Sequence, residues 1–130
     1  MNWGYIAGFT DGEGHIVNKV YTTKEKSVLK SGVKYYQTSR HRRRIVLTQS
    51  QKQVDVLYQI AKFLNKELDT NIRIYDRGDK CSQLMVIRKL DVYRMAKMIV
   101  HKSIVKKQKI EQLLDTYENP ELLSQPVKER

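Results

Sequence analysis

Two acids, Asp11 and Glu13, stand among glycines in the stretch Ile6-Ala7-Gly8-Phe9-Thr10-Asp11-Gly12-Glu13-Gly14. Carboxylates beside the carbonyls of a helix end are hard oxygen donors, the set that a divalent cation such as magnesium takes. Stability does not account for them, because acids near C-terminal carbonyls are disfavoured by a few tenths to ~1 kcal/mol. Gly12 and Gly14 read as stop signals for a helix expected over residues 2–12. Within it, Gly4, Ala7 and Gly8 fall at i, i+3 and i+4 on one face. Such a face admits a second helix closely, which offsets the roughly 1 kcal/mol that each mid-helix glycine costs.

The charge is as uneven as the motif is local. Of the formal net charge of +11, residues 15–53 carry ten Lys and Arg against one acid, Glu25. That concentration calls for a polyanionic partner, nucleic acid or an acidic membrane. No apolar run nears the ~20 residues of a membrane span, so nucleic acid is preferred and no membrane is expected. With Cys81 alone, an intramolecular disulfide and a Cys-based zinc site are excluded. The N-terminus lacks a signal-peptide pattern, and the expected setting is intracellular. An organelle, a phage- or virus-infected cell and a prokaryotic cytoplasm fit equally. His15, just past the acids, reads as a polar strand residue rather than a proton shuttle.

After Gly14 the period becomes two, with Ile16 and Val20 on a core face and Lys19, Tyr21 and Thr23 opposite. Asn18 is a polar intruder on that core face. Residues 24–34 read as a long mobile hairpin tip, and residues 35–48 resume strand character. From Gln51 to Leu64, Val54, Leu57, Ala61 and Leu64 form a helical stripe. Strands are expected at 72–77 and 83–88 around Gly78-Asp79, and helices at 91–101 and 103–118. The predicted class is therefore α+β, a single domain over residues 1–118. Its two hairpins make one antiparallel sheet with helices on one face and a basic face open. The tail, 119–130, reads as polar and loose.

The nine-residue string, followed by a strand and a basic segment, resembles the signature of LAGLIDADG homing endonucleases. Ile6, Ala7, Gly8, Phe9, Asp11, Gly12, Glu13 and Gly14 match it, with Ile for Leu and Glu for Asp as conservative changes. The resemblance implies an αββαββα fold whose curved sheet forms a saddle over DNA. It also implies a metal site at Glu13 and the carbonyl of Gly12, for magnesium or manganese. Asp11 takes a structural place at the helix base near the dimer axis, or serves as a second ligand. Gln49 matches a residue that orients attacking water. Lys106, with Lys107 adjacent, matches a basic residue near the scissile phosphate.

One signature in one chain implies a homodimer packed through Gly4, Ala7 and Gly8, cutting a near-palindromic site across the minor groove to leave 3′ overhangs. The residues themselves suggest how the sheet would hold double-stranded DNA. Arg40, Arg42 and Arg44 at two-residue spacing span roughly 13 Å, and arginine reads guanine in the major groove with two hydrogen bonds. Val46 shares that face and could meet a thymine methyl. The same parity exposes Lys19, Tyr21 and Thr23, and in the third strand Arg73, Tyr75 and Arg77. The leading expectation is a metal-dependent, site-specific DNA endonuclease. An intron RNA maturase and a non-cleaving DNA-binding regulator are the alternatives, and the intact acid at Glu13 favours the enzyme.

Overall fold

The computed structural model describes residues 1–117; the expected tail, 119–130, lies outside them. The elements run α1 (Trp3–Glu13), β1 (Gly14–Leu29), β2 (Gly32–Ser50), a single 3-10 turn (Gln51–Gln53), α2 (Val54–Leu68), β3 (Ile74–Asp76), β4 (Cys81–Val86), α3 (Lys89–Ile99) and α4 (Lys107–Asp115). The strands form one antiparallel sheet in the order β1-β2-β4-β3. The expected α+β class and element order therefore hold. No helix among the described residues is long and apolar enough to cross a membrane.

One face of the sheet carries the core. Ile16, Ile45, Leu47, Leu84 and Val86 are buried there, beneath Leu57, Ile60, Ala61 and Leu64 of α2 and Val92, Met95, Ala96 and Ile99 of α3. Apolar residues at helical spacing on α2 and α3 meet apolar residues at alternate positions of the strands, and this match of periods defines the layer. α1 enters the same core through Ile6, Ala7 and Thr10, and its Trp3 ring meets Phe63 of α2 edge-on at 5.1 Å. Asn2 caps α1 by accepting the Tyr5 N–H at 2.8 Å.

Several boundaries depart from expectation, each for a local reason. The segment 24–34 is paired strand rather than a long loop: the β1–β2 ladder continues to Leu29 opposite Gly32, leaving only Lys30 and Ser31 to turn. Thr23 and Thr38 hydroxyls bond across it at 2.8 Å. The reversal falls on Gly32 at φ +127°, where glycine alone is at ease. This ladder outruns the helices, so Val20, expected in the core, is 63% exposed. Asn18 sits where cover runs out, and there His41 Nε2 hydrogen-bonds its side-chain oxygen. Partial burial, then the nearby Arg43 charge, hold the His41 imidazole below its ordinary value, which keeps it neutral at pH 7.

The helix α2 runs on to Leu68 and stops at Asp69 in the left-handed conformation. Beyond it the Asn65 amide clamps Ile72, accepting its N–H at 2.6 Å and donating to its carbonyl at 3.1 Å. β3 is shorter than expected and β4 starts two residues earlier. α4 begins only at Lys107, because residues 103–106 are held by Asp11 instead.

Arg43 closes the far end of the core. It donates to the Thr116 hydroxyl at 2.8 Å and the Thr116 carbonyl at 2.6 Å, and its guanidinium lies 4.8 Å from the Tyr117 ring centroid. A cation here complements the C-terminal carbonyls of α4. Tyr117 is buried, and its hydroxyl donates to the Lys89 carbonyl at 3.1 Å. Burial pushes its phenol up to about 12, against a smaller downward pull from Arg43. The unfolded phenol ionises near ~10, so stability is full below that pH and falls as the pH rises toward the folded value. The expected loss is on the order of 2 to 3 kcal/mol. Alkaline denaturation of the natural chain and Tyr117→Phe checks this, since the variant should lack that slope.

Candidate nucleic-acid interface and metal site

The face of the sheet turned away from the helices is set by register. His15 lies opposite Val46, Val17 opposite Arg44, Lys19 opposite Arg42, Tyr21 opposite Arg40 and Thr23 opposite Thr38. Directly opposed residues share a face in an antiparallel pair, so Lys19, Tyr21, Thr23, Arg40, Arg42 and Arg44 stand together. The Arg42 guanidinium lies 4.7 Å from the Tyr21 ring centroid, a diagonal cation–π contact along this face. The face continues onto β4, where Met85 is opposite Val46 and Gln83 opposite Thr48, and onto β3, where Tyr75 is opposite Gln83. Arg73 and Arg77 flank β3 and are exposed, Arg77 in a surface pair with Asp79 at 2.8 Å.

Two details of this face differ from the sequence reading. Val46 lies on it but is only 7% exposed, because β2 is an inner strand whose neighbours on β1 and β4 close over it. Val46 therefore offers no open methyl contact of the kind expected for a thymine, and the half-buried Met85 is the apolar group beside it. Gln83 and Met85 were missed altogether. β4 reads as apolar on both faces, and only the burial of Ser82, Leu84 and Val86 reveals which side is out.

At the start of this face lies the acidic turn. Glu13 ends α1 and Gly14 begins β1 opposite Leu47. Gly14 is extended at φ −93°, so it is no left-handed cap. It is glycine for want of room, because a Cβ there would lie 2.5 Å from the Thr10 carbonyl oxygen. Gly12 is inside the helix and exposed. The Glu13 side chain is exposed, and among the described residues it takes part in no hydrogen bond or ion pair.

Asp11 is the opposite case. Its carboxylate accepts from the Ser103 hydroxyl, from the Ile104 N–H at 2.8 Å and from the Lys106 N–H at 3.1 Å. The Lys106 ammonium in turn donates to the Asp11 carbonyl at 2.6 Å. Slight burial pushes the Asp11 carboxyl up, but these hydrogen bonds together outweigh it and hold the group below its ordinary value. Asp11 is thus a clasp between the end of α1 and the entry to α4, which brings Lys106 to the acidic turn. Lys107 is exposed.

Removing the clasp in Asp11→Ala should destabilise the fold by about 1–3 kcal/mol, the usual result of orphaning such donors. Because the folded carboxyl is depressed, its contribution is present above the unfolded value near ~3.9 and lost as pH falls through the folded one. Urea melts at pH 7 and pH 3 check this: the gap between natural and variant chains should narrow in acid.

Gln49 is half-buried, with the parity of Ile45 and Leu47, toward the helix side just past the first pair of β1. Its side-chain oxygen accepts the Ser50 N–H at 3.0 Å. The glycine face of α1 also needs one correction. Ala7 is wholly buried in the chain's own core, whereas Gly4, Gly8 and Gly12, spaced by four, are exposed with Tyr5 between them. A Cβ at Gly8 or Gly12 would meet nothing within 4 Å.

The model of the family described as LAGLIDADG endonuclease matches residues 6–125. The chain belongs to the LAGLIDADG endonuclease family. A search of curated proteins returned no significant match. Among solved structures it resembles the homing endonuclease I-CvuI in complex with the I-CreI target, in magnesium and with the DNA not cleaved. The identity is 18%, the TM-score 0.69, and the match covers 87% of this chain and 63% of that one. It also resembles the homing endonuclease I-TnaI, at 20% identity and TM-score 0.57, covering 95% of this chain and 78% of that one. The archaeal intron-encoded homing endonuclease I-Vdi141I, complexed with DNA, matches at 20% identity and TM-score 0.56, over 87% of this chain and 64% of that one. At such identities these homing-endonuclease structures speak for the fold, and the chain spans 63% of the length of I-CvuI.

Proposed function

We propose that two copies of this chain form a site-specific DNA endonuclease that hydrolyses both strands of a long, nearly palindromic duplex. The observation that carries this reading is the continuity of two surfaces. The Glu13 carboxylate, without a partner among the described residues, stands at the end of an exposed glycine stripe, and the open sheet face begins two residues later at His15 and turns basic from Lys19. Stripes from two copies packed about a two-fold axis would bring both Glu13 groups together. The sheets would then extend along the duplex on either side, with arginines toward base edges and phosphates. I-CvuI structures with DNA in magnesium and in calcium support a duplex partner and use of a divalent ion.

The donor set suits such an ion. Glu13 and the Gly12 carbonyl offer hard oxygens only, and no group of three His, Cys, Asp or Glu that could hold a metal occurs among the described residues. One chain is thus an incomplete site, to be finished by a second copy, DNA phosphate and water, the pattern that magnesium tolerates. Bound there, the ion would supply an activated water and neutralise the leaving 3′ oxygen. Lys106, tethered to the Asp11 carbonyl, puts positive charge beside the scissile phosphate, and Gln49 is the residue to orient attacking water. Attack on phosphates facing each other across the narrow minor groove leaves short 3′ overhangs. In a cell, such cutting would start the homing of the intron or intein that carries the gene.

Incubating the chain with magnesium and a randomised, near-palindromic DNA library tests the reading. Recovered ends with short 3′ overhangs are expected. Enrichment of DNA without cutting would favour a regulator, and binding of RNA alone would favour a maturase.

A further inference from the structure

Glu25 is the only acid in residues 15–53, and it stands on the surface proposed to hold a polyanion. Its parity in β1 puts it on the open face with Lys19, Tyr21 and Thr23, in the cleft lined by Arg40 and Arg42. It is half-buried although its chain neighbours Lys24 and Lys26 are exposed. Directly opposite stands Tyr36, whose phenol the neighbouring Glu25 carboxylate pushes up from its ordinary value. The ion pairs among the described residues are Arg77 with Asp79 and Arg88 with Asp91, so no cation claims it.

A carboxylate facing DNA is repelled by every phosphate, and phosphates offer it no donor. What the major groove offers are exocyclic amines, N4 of cytosine and N6 of adenine. The adenine amine sits beside the N7 acceptor, whose lone pair opposes a second carboxylate oxygen. The cytosine amine has no acceptor next to it on that edge. A carboxylate set in the cleft opposite a tyrosine, with lone pairs free of any cation, is suited to accept from the cytosine amine.

We propose that Glu25, paired across the strands with Tyr36, selects a cytosine in each half of the target. The inference rests on the nuclease reading and adds a base and a position to it. Glu25 lies eleven residues beyond Gly14, about 36 Å along the strand. At ~3.4 Å per base pair the cytosine should fall roughly ten base pairs from the centre of the target.

The test is selection of bound duplexes from a library randomised in its outer positions, using the full chain and its Glu25→Gln form. The natural chain should favour cytosine at one outer position by roughly tenfold. Glu25→Gln should lose that preference and take adenine there, since an amide matches N6 and N7 together, while the other selected positions stay as they were. An unchanged cytosine preference in the variant overturns the proposal. So does a uniform gain in affinity for all sequences, the signature of an acid that merely moderates charge. If the natural chain selects no duplex at all, the nuclease reading itself fails, a result distinct from either.

Discussion

Glu13→Gln should leave the chain folded and bound to DNA while stopping strand cleavage. The substitution preserves size and removes one charge, so an anionic oxygen donor becomes a weak neutral one. The drop in cleavage rate should exceed the roughly hundredfold to thousandfold that follows loss of a single group stabilising transition-state charge. Both strands should be affected, because each copy in a dimer would contribute one Glu13. The fold has little to lose, since the Glu13 side chain is exposed and has no partner among the described residues. Single-turnover cleavage in magnesium, beside a binding titration and a urea melt, separates these effects. Cleavage retained within about tenfold would remove Glu13 from the chemistry. Such an outcome would leave Asp11 a poor substitute, because its carboxylate already serves three donors at the entry to α4.

Gly8→Leu is expected to act in opposite directions on the isolated chain and on its assembly. Within one chain a Cβ at Gly8 meets nothing within 4 Å and the position is exposed, and leucine is favoured over glycine in a helix by close to ~1 kcal/mol. The monomer should therefore be unharmed or slightly stabilised. Between two chains, the same side chain would fill the space that lets the helices approach. Overpacking of that kind costs about 1–3 kcal/mol, or roughly 5–150-fold in dissociation constant. Sedimentation of both forms should show the variant shifted toward monomer, with cleavage of a palindromic duplex falling in parallel. A variant that stays dimeric and active would place the two-fold contact elsewhere. The exposed Ile104 and Val105, at 87% and 75%, would then be the next surface to test.

What could be read from residues alone followed how local the determining physics is. The α2 and α3 stripes and the parity of β1 and β2 are short-range periodicities, and Lys19, Tyr21, Arg40, Arg42 and Arg44 landed on one face as their spacing required. The acidic turn was legible because few ordinary reasons exist for Asp11 and Glu13 at a helix C-terminus. Three features were not legible. Ala7 and Gly8 are neighbours that alternation cannot sort into core and surface, and only the position of α1 against the sheet buries one and exposes the other. The outward side of β4 was hidden because Leu84, Met85, Val86 and Ile87 are all apolar. The Asp11 clasp joins residues 92 or more positions apart, and no spacing within the chain announces it. Residues 24–34 misled for a different reason: their Lys and Ser content looks like loop, yet cross-strand pairs and Gly32 suffice for a ladder.

The β1–β2 hairpin beyond Val17 and Arg44 has a further consequence. Arg43 is tied to Thr116 and His41 to Asn18, but beyond those pairs no residue from Lys19 to Arg40 belongs to the buried core. Substitutions at such exposed positions typically shift stability by no more than ~0.5 kcal/mol. The arm can therefore vary its side chains with little toll on the folding of the body that bears it. A lineage of such chains could change the sequences it recognises one residue at a time, without its intermediates dropping below the stability that function demands. The acidic turn has no such freedom, since Gly14 has no room for a side chain and Asp11 is bound on every side. The molecule thus divides into a part that can drift and a part that must stay.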